Sequence, residues 1–133
     1  IWVGGESNPS MRRAARIGDA WYPIGSNQAH LLDTLPRLEA GIATLRRLAE
    51  AAGRDPASIG TVYRVKRHAH AAPPASDGNR RLFTGTIEDT IADIAALRRI
   101  GVTGLDFDFE GRDADRAVAE MQSFRAQVLA RVR

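Results

Sequence analysis

Short apolar segments and segments of helical period alternate four times along this chain. The apolar segments predict strands at residues 1–3, 19–25, 61–70 and 102–109. The segments that follow them carry apolar residues three and four positions apart, which is the period of an amphipathic helix. Strict alternation of strand and helix implies a parallel sheet with right-handed crossovers. The chain is therefore predicted to fold as four βα units.

The first two predicted helices differ in how clearly the sequence marks their ends. Asn8 and Pro9 are suited to the N-cap and the first helical position of the first helix, and Gly18 is suited to its C′ position. The second helix is predicted over residues 28–52, and Pro36 should kink or split it. His30 would then lie on its first turn, at the surface.

The last two helices are predicted after residue 84 and over residues 113–132. Thr86 and Asp89 form a capping-box variant at the start of the third helix, and Gly101 ends it. Residues 71–81 form a polar loop that we expect to be mobile. The predicted apolar stripes are Met11, Ala14, Ala15 and Ile17 in the first helix, Leu31, Leu35, Leu38, Ile42, Leu45, Leu48 and Ala49 in the second, and Ala117, Met121, Phe124, Val128 and Val132 in the fourth. The third helix is predicted from Ile87, Ile91, Ile94, Ala95, Leu97 and Arg98.

Four βα units are compatible with half of a (β/α)8 barrel or with a small, open, doubly wound sheet. The turn after the first strand lacks the Gly-x-Gly-x-x-Gly spacing, and no acidic residue ends a second strand about 20 residues further on. A dinucleotide-binding sheet would have both features, so the half barrel is favoured, with residues 1–133 as a single region. The first residue is not Met and opens directly on a strand, so we expect a piece of a longer protein.

Composition excludes several classes of function. The chain has no cysteine, which excludes disulfides, thiolate catalysis and cysteine-ligated metals. No apolar run is long enough to cross a bilayer and no signal peptide is recognisable, so a cytoplasmic protein with no membrane partner is expected. The net charge is only +3, and the arginines stand beside acidic residues without interleaved aromatics. A nucleic-acid surface is therefore not predicted.

The turn between the first strand and the first helix is a candidate anion-binding site. Gly4 and Gly5 allow a tight turn or a positive φ. The helix that follows presents backbone amides at the positive end of its dipole, where a phosphate can bind. Isolated glycine motifs are also common in ordinary βα loops, so the residues by themselves leave both interpretations open.

Segments 1–21, 48–56, 85–91 and 97–108 carry a pattern shared with a known family. They read Ile-Trp-Val-Gly-Gly-Glu-Ser and Arg-Arg-Ala-Ala-Arg-Ile-Gly-Asp-Ala-Trp, then Leu-Ala-Glu-Ala-Ala-Gly-Arg-Asp-Pro, then Gly-Thr-Ile-Glu-Asp-Thr-Ile, and finally Leu-Arg-Arg-Ile-Gly-Val-Thr-Gly-Leu-Asp-Phe-Asp. In this order they resemble the luciferase-like flavin and deazaflavin oxidoreductases over essentially the whole chain. Ala20 departs from the family, which usually has glycine there.

The resemblance implies a parent (β/α)8 barrel that binds coenzyme F-420 or FMN at the C-terminal ends of its strands. This chain would be its fifth to eighth βα units, and the cofactor's phosphate-bearing tail would lie at Gly4, Gly5, Glu6 and Ser7. The intact parent would be an F-420- or FMN-dependent oxidoreductase or monooxygenase that transfers a hydride to or from a small organic substrate, and it would be a homo-oligomer. The match favours the deazaflavin branch.

The same resemblance limits what this chain can do alone. The family's substrate-side and proton-handling residues lie mostly in the other half of the barrel, so no catalytic residue is assigned and this part alone is expected to be inactive. The alternative is an inactive half-barrel fragment or a self-associating structural module, because four βα units leave two sheet edges exposed.

Charged side chains alternate along the third and fourth predicted strands. In a barrel they would face each other across the pair, either as a polar floor that binds substrate or tunes a flavin, or as buried ion pairs that hold the strands in register. The carboxylates also permit acid–base chemistry. The histidines permit metal ligation, but no third ligand stands near them and no metal site is predicted. The residues are Arg64, Lys66, His68, His70, Asp106 and Asp108.

Three aromatic residues near the first two strands complete the set of candidates. Trp2, Trp21 and Tyr22 could line a cofactor pocket or pack in the core. Core packing is the commoner role of such side chains.

Overall fold

The computed structural model describes residues 1–65, 72–109 and 113–132. Four strands alternate with four helices, as the sequence predicts. The strands are β1 (Trp2–Gly4), β2 (Ala20–Tyr22), β3 (Gly60–Val65) and β4 (Gly104–Phe107), and the helices are α1 (Asn8–Ile17), α2 (Leu35–Ala51), α3 (Ile87–Ile100) and α4 (Ala114–Gln127). Short 3-10 turns lie at Pro56–Ser58 and Leu129–Arg131.

The sheet has the strand order β1-β2-β3-β4, and each neighbouring pair is parallel. A doubly wound sheet reverses its order at a switch point, whereas a sequential order with right-handed crossovers keeps all helices on one side. Consistent with this, α1 packs on α2 and α2 packs on α3. The prediction of half a (β/α)8 barrel is confirmed.

The two faces of the sheet have different surroundings. Trp21, Tyr63 and Val65 face the helices and are buried in the core. The other face, which we call the inner face because it corresponds to a barrel interior, is open, and Trp2 on it is 63% exposed. The inner face consists of Trp2, Gly4, Ala20, Tyr22, Gly60, Val62, Arg64, Gly104, Asp106 and Asp108.

The second helix begins later than the sequence predicts. Thr34 is its N-cap and Pro36 lies in its first turn, where a missing backbone N–H is tolerated, so the proline begins the helix and does not kink it. Residues 28–34 are irregular and His30 is exposed on this loop. The predicted stripe is confirmed at its centre by the burial of Leu38, Ile42, Leu45 and Ala49.

The ends of α1 also differ from the prediction. Ser7 is its N-cap, one residue before the predicted Asn8. Gly18 has an extended backbone with φ of −81° and not the left-handed C′ conformation. Glycine is required there by space, because a Cβ would lie 2.8 Å from the Ala14 carbonyl oxygen. The predicted stripe loses Ile17, which is 60% exposed.

Several other elements differ from the prediction in their bounds. β1 is shifted by one residue, β4 covers only the middle of predicted strand 102–109, and α4 ends at Gln127. The outer part of the third predicted strand, with Lys66, His68 and His70, lies outside the described residues. In α4, Phe124 is buried as predicted, but Met121 is 50% exposed. The Thr86–Asp89 capping box and the left-handed Gly101 at the two ends of α3 are confirmed.

The polar segment before α3 is fastened where a mobile loop was expected. Asp77 accepts a hydrogen bond of 2.8 Å from the Thr34 hydroxyl. Buried Asp33 pairs with Arg37 at 2.7 Å and with Arg81. These contacts join residues 76–82 to the start of α2, so two loops at the C-terminal ends of β2 and β3 form one connected rim.

A second buried carboxylate supports the same rim from α3. Asp93 accepts hydrogen bonds from the Phe83 backbone N–H at 2.6 Å and from the Arg80 guanidinium. Phe83 has a φ of 61°, an uncommon conformation for a residue with a side chain. Asp93 therefore holds the backbone in a strained turn directly before the α3 capping box.

Candidate functional site

The Gly-Gly turn lies at the edge of the sheet where (β/α)8 barrels carry their sites. All four strands are parallel, so their C-terminal residues meet at one edge, and β1 ends at Gly4. In barrel enzymes the active site forms at this end of the strands. The turn formed by Gly4, Gly5, Glu6 and Ser7, which we call the rim loop, therefore stands at the C-terminal rim.

The rim loop is held from the neighbouring strand. The indole Nε1 of buried Trp21 in β2 donates a hydrogen bond of 2.8 Å to the Gly5 carbonyl oxygen. The Glu6 carboxylate, only 8% exposed, accepts 2.6 Å from the Ile24 backbone N–H and also binds the Asn27 side-chain amide. These contacts fix the loop before any ligand arrives, which is the condition for a precise binding site.

The groups around the rim loop fit a phosphate. Gly5 has a φ of 102°, and a Cβ there would lie 2.7 Å from the Ser10 Oγ, so only glycine leaves this space open. The hydroxyls of Ser7 and Ser10 lie 3.1 Å apart, and the Arg13 guanidinium reaches within 3.5 Å of the Ser10 Oγ. The first turn of α1 contains no acidic residue. Hydroxyls, a guanidinium and helix N-terminal amides are the usual donors to phosphate.

The four predicted site residues are consecutive in the chain, and their side chains make different contacts. Gly4, Gly5 and Ser7 surround the start of α1, whereas the Glu6 carboxylate is turned toward the loop after β2 and braces it. Ser10 was not singled out in the sequence. Its position at the third residue of a helix, one turn from Ser7 and from Arg13, is the signal that identifies it.

The inner face carries two polar pairs close to the same rim. Arg64 Nη2 lies 3.0 Å from Asp108 Oδ2, and the Tyr22 hydroxyl donates to Asp106. The hydrogen bond that the Tyr22 hydroxyl donates to Asp106 raises the pKa of Tyr22 above its usual value, and the hydrogen bond that Arg64 donates to Asp108 raises the pKa of Arg64. Opposite charges do face each other across β3 and β4, as predicted. They are not buried, because the Arg64 and Asp108 side chains are 42% and 35% exposed.

The remaining candidate residues, two aspartates and two tryptophans, lie in different surroundings. Asp106 and Asp108 share the inner face, and each carboxylate already has a partner from β2 or β3. Trp21 belongs to the core, while Trp2 packs on Tyr22 with ring centroids 5.7 Å apart.

No cluster of three or more potential metal ligands occurs among the described residues. Within the same residues, no helix combines the length and apolar character needed to span a bilayer.

Two solved structures share this fold at low sequence identity. A coenzyme F-420-dependent tetrahydromethanopterin reductase from Methanopyrus kandleri matches 99% of the chain with a TM-score of 0.65 and 13% identity. A long-chain alkane monooxygenase matches 96% of the chain with a TM-score of 0.61 and 12% identity. The chain spans 50% and 41% of these two proteins. No protein-family model matches the sequence. No curated protein matches it either. The likeness shows the fold, which is half of a (β/α)8 barrel.

Proposed function

We propose that this chain, as a single region of residues 1–133, supplies half of a luciferase-like oxidoreductase that uses coenzyme F-420 or FMN. The intact enzyme would transfer a hydride between this cofactor and a small organic substrate. The observation that carries the proposal is the braced rim loop at the C-terminal rim, where Ser7, Ser10 and Arg13 converge on the start of α1. Both fold neighbours are named as oxidoreductases, one of them dependent on F-420.

The part of this chain in the reaction is to hold the cofactor's phosphate. When bound, the cofactor supplies the hydride chemistry. The hydroxyls of Ser7 and Ser10 would donate to phosphate oxygens, and Arg13 would balance their charge. Gly5 lets the backbone approach the phosphate closely. Glu6 would act through its bracing of the loop, since its carboxylate is occupied by Ile24 and Asn27.

The inner face would form the polar floor of the site. Tyr22 is protonated at neutral pH, as an ordinary tyrosine is, and the bond to Asp106 raises its pKa further. The rings of Tyr22 and Trp2 form an aromatic surface beside Gly4. Gly4 is the residue of β1 that pairs with Tyr22 of β2. Arg64 and Asp108 hold each other in place on the adjoining strands. A small organic substrate would lie on this floor. We expect neither nucleic acid nor membrane as partner, a cytoplasmic location and a homo-oligomeric enzyme.

A fluorescence titration that compares FMN with riboflavin tests the proposal. Riboflavin shares the ring system of FMN and lacks the phosphate, so the ratio of the two affinities isolates the phosphate contact. We expect FMN to bind at least about tenfold more tightly, the value of one or two charge-assisted hydrogen bonds. Ser10→Ala should remove most of this preference, and F-420 should behave as FMN does.

The matched control is Ser123→Ala, the same change at an exposed residue of α4. It should leave both affinities unchanged. Equal affinity for FMN and riboflavin, or a preference that Ser10→Ala does not alter, would overturn the assignment of the rim loop.

A further inference from the structure

A cleft of about 470 Å³ opens at the end of the sheet opposite the rim loop. It lies between α2, the 3-10 turn at Pro56–Ser58 and the segments that lead into β3 and β4. The parallel strands begin at this end, whereas the rim loop follows the C-terminal end of β1. Pockets that hold small molecules in proteins enclose roughly 300–1,000 Å³. The cleft therefore has the size of a ligand site, and it is separate from the rim loop.

The floor of the cleft is apolar. Ile42 and Leu45 of α2 and Ile59 before β3 line it, and all three belong to the buried core. Thr61 and Thr103 also line it. The Thr103 hydroxyl accepts from the Thr61 backbone N–H and donates to the Thr61 carbonyl oxygen, each at 3.1 Å. Because this hydroxyl is engaged within the protein, the floor suits the aliphatic part of a ligand.

The edge of the cleft carries a guanidinium without an acidic partner. Arg46 extends from α2 to the end of α3, where its Nη2 donates a hydrogen bond of 3.3 Å to the Ile100 carbonyl oxygen. Gly101 makes this approach possible, because a Cβ there would lie 2.6 Å from the same Nη2. Among the described residues, no carboxylate pairs with Arg46. Its other N–H groups are therefore open to an anionic group of a ligand.

A carboxylate with one oxygen in use lines the same cleft. Asp55 Oδ1 accepts a hydrogen bond of 2.9 Å from the Ala57 backbone N–H and so caps the 3-10 turn. Within the part of the chain that the structure describes, Asp55 Oδ2 has no hydrogen-bond partner and Asp55 forms no ion pair. Arg46 and Asp55 thus line one cleft without bonding to each other. A small ligand that carries both charges can stand between them.

We propose that this cleft binds a free amino acid with an aliphatic side chain, such as leucine. The α-carboxylate would lie against Arg46, the α-ammonium group against Asp55, and the side chain against the apolar floor. The two charges at the edge select this class together. A fatty acid has no group for Asp55, an amine has none for Arg46, and a residue inside a peptide has lost both charges. The assignment depends on no cofactor.

An NMR titration of the isotope-labelled chain with leucine tests the assignment. We expect the backbone amide signals of Ala57, Gly101 and Thr103 to shift together and saturate, while those of Gly5 and Ser7 in the rim loop stay unchanged. Three further probes each remove one part of leucine: isocaproate lacks the ammonium group, isoamylamine lacks the carboxylate, and free glycine lacks the side chain. Each should bind about fivefold more weakly or worse, which is the upper value for one partly exposed ion pair.

Arg46→Gln and Asp55→Asn remove the two charges one at a time. Asparagine keeps an acceptor for the Ala57 N–H, so the 3-10 turn retains its cap. Each variant should weaken leucine binding about fivefold. Asp55→Asn should leave the affinity for isocaproate unchanged, and Arg46→Gln should leave that for isoamylamine unchanged, because each probe lacks the group that the lost charge would bind. A purely structural role of either residue would not produce this selectivity.

The matched control is Arg47→Gln, because Arg47 follows Arg46 on α2 and bonds the Thr44 hydroxyl outside the cleft. It should leave the affinity for leucine unchanged. Three results would overturn the assignment: no saturable shift at the cleft with leucine, an affinity for isocaproate or isoamylamine equal to that for leucine, or equal losses in Arg46→Gln and Arg47→Gln. The comparison of probes on the wild type needs no variant, so it decides the question even if a substitution prevents folding.

Discussion

Glu6 shows how a residue that was predicted to bind a ligand can instead support its own loop. Its carboxylate accepts from the Ile24 N–H and from Asn27, both in the segment after β2. The turn itself was predictable, because Gly4 and Gly5 permit backbone conformations that other residues rarely adopt. The direction of the Glu6 side chain was not, because its partners come from another βα unit and depend on how β1 and β2 are paired.

Glu6→Gln is the residue-scale prediction that follows. The amide keeps one acceptor but turns an N–H group toward donors that need an acceptor, so one buried donor loses its partner. We expect the free energy of unfolding to fall by about 1–2 kcal/mol. Urea denaturation followed by circular dichroism measures this change.

The control for this substitution is Glu39→Gln, which is exposed on α2. It should change stability by less than about 0.5 kcal/mol. If the two variants lost equal stability, the bracing role of Glu6 would be wrong.

At the scale of elements, the sequence predicted helix ends well where the signal is local. Thr86, Asp89 and Gly101 bound α3 through contacts within three or four residues, and all are confirmed. A proline such as Pro36 can either kink a helix or begin one, so the sequence leaves both outcomes open. In the structure Asp33 and Thr34 are bonded to Arg81 and Asp77, and the helix begins directly after them. Met121 was predicted to be buried because it follows the apolar period of the helix, but it is 50% exposed. Periodicity does not show on which side of a helix the neighbouring elements lie.

Thr86→Ala should destabilise α3 by about 1 kcal/mol, the usual loss for a Thr N-cap. Thr86 accepts from the Asp89 N–H, and hydrogen bonds from Thr86 lower the pKa of Asp89. The contribution of the ionised Asp89 is complete above its ordinary pKa of 3.8 and is lost as the pH falls through the lowered value. Denaturation at neutral pH and again at a pH below the lowered pKa of Asp89 should therefore show a smaller loss of stability in acid.

Thr44→Ala is the matched control for the cap. Thr44 lies within α2 and donates to the Ala40 carbonyl, and alanine is the better helix former at such a position. Its replacement should be neutral or slightly stabilising. A loss at Thr44 as large as that at Thr86 would contradict the assignment of the capping box.

At the scale of the whole molecule, the parallel half barrel followed from the alternation of strand and helix. Right-handed crossovers leave few topologies for four such units, which is why the order β1-β2-β3-β4 could be predicted. The connected rim could not be predicted, because Asp33 and Arg81 stand in different loops and meet only after the sheet has formed. The same holds for the Tyr22–Asp106 pair, which joins β2 to β4 across β3.

The central claim is that the C-terminal rim of this half barrel binds a phosphate, and an NMR titration of the isotope-labelled chain with inorganic phosphate tests it most directly. We predict that the backbone amide signals of Gly5, Ser7 and Ser10 shift together and saturate, while those of Gly60 and Thr103, at the opposite ends of the strands, stay unchanged. Signals that shift at Gly60 and Thr103 but not at the rim loop would contradict the account.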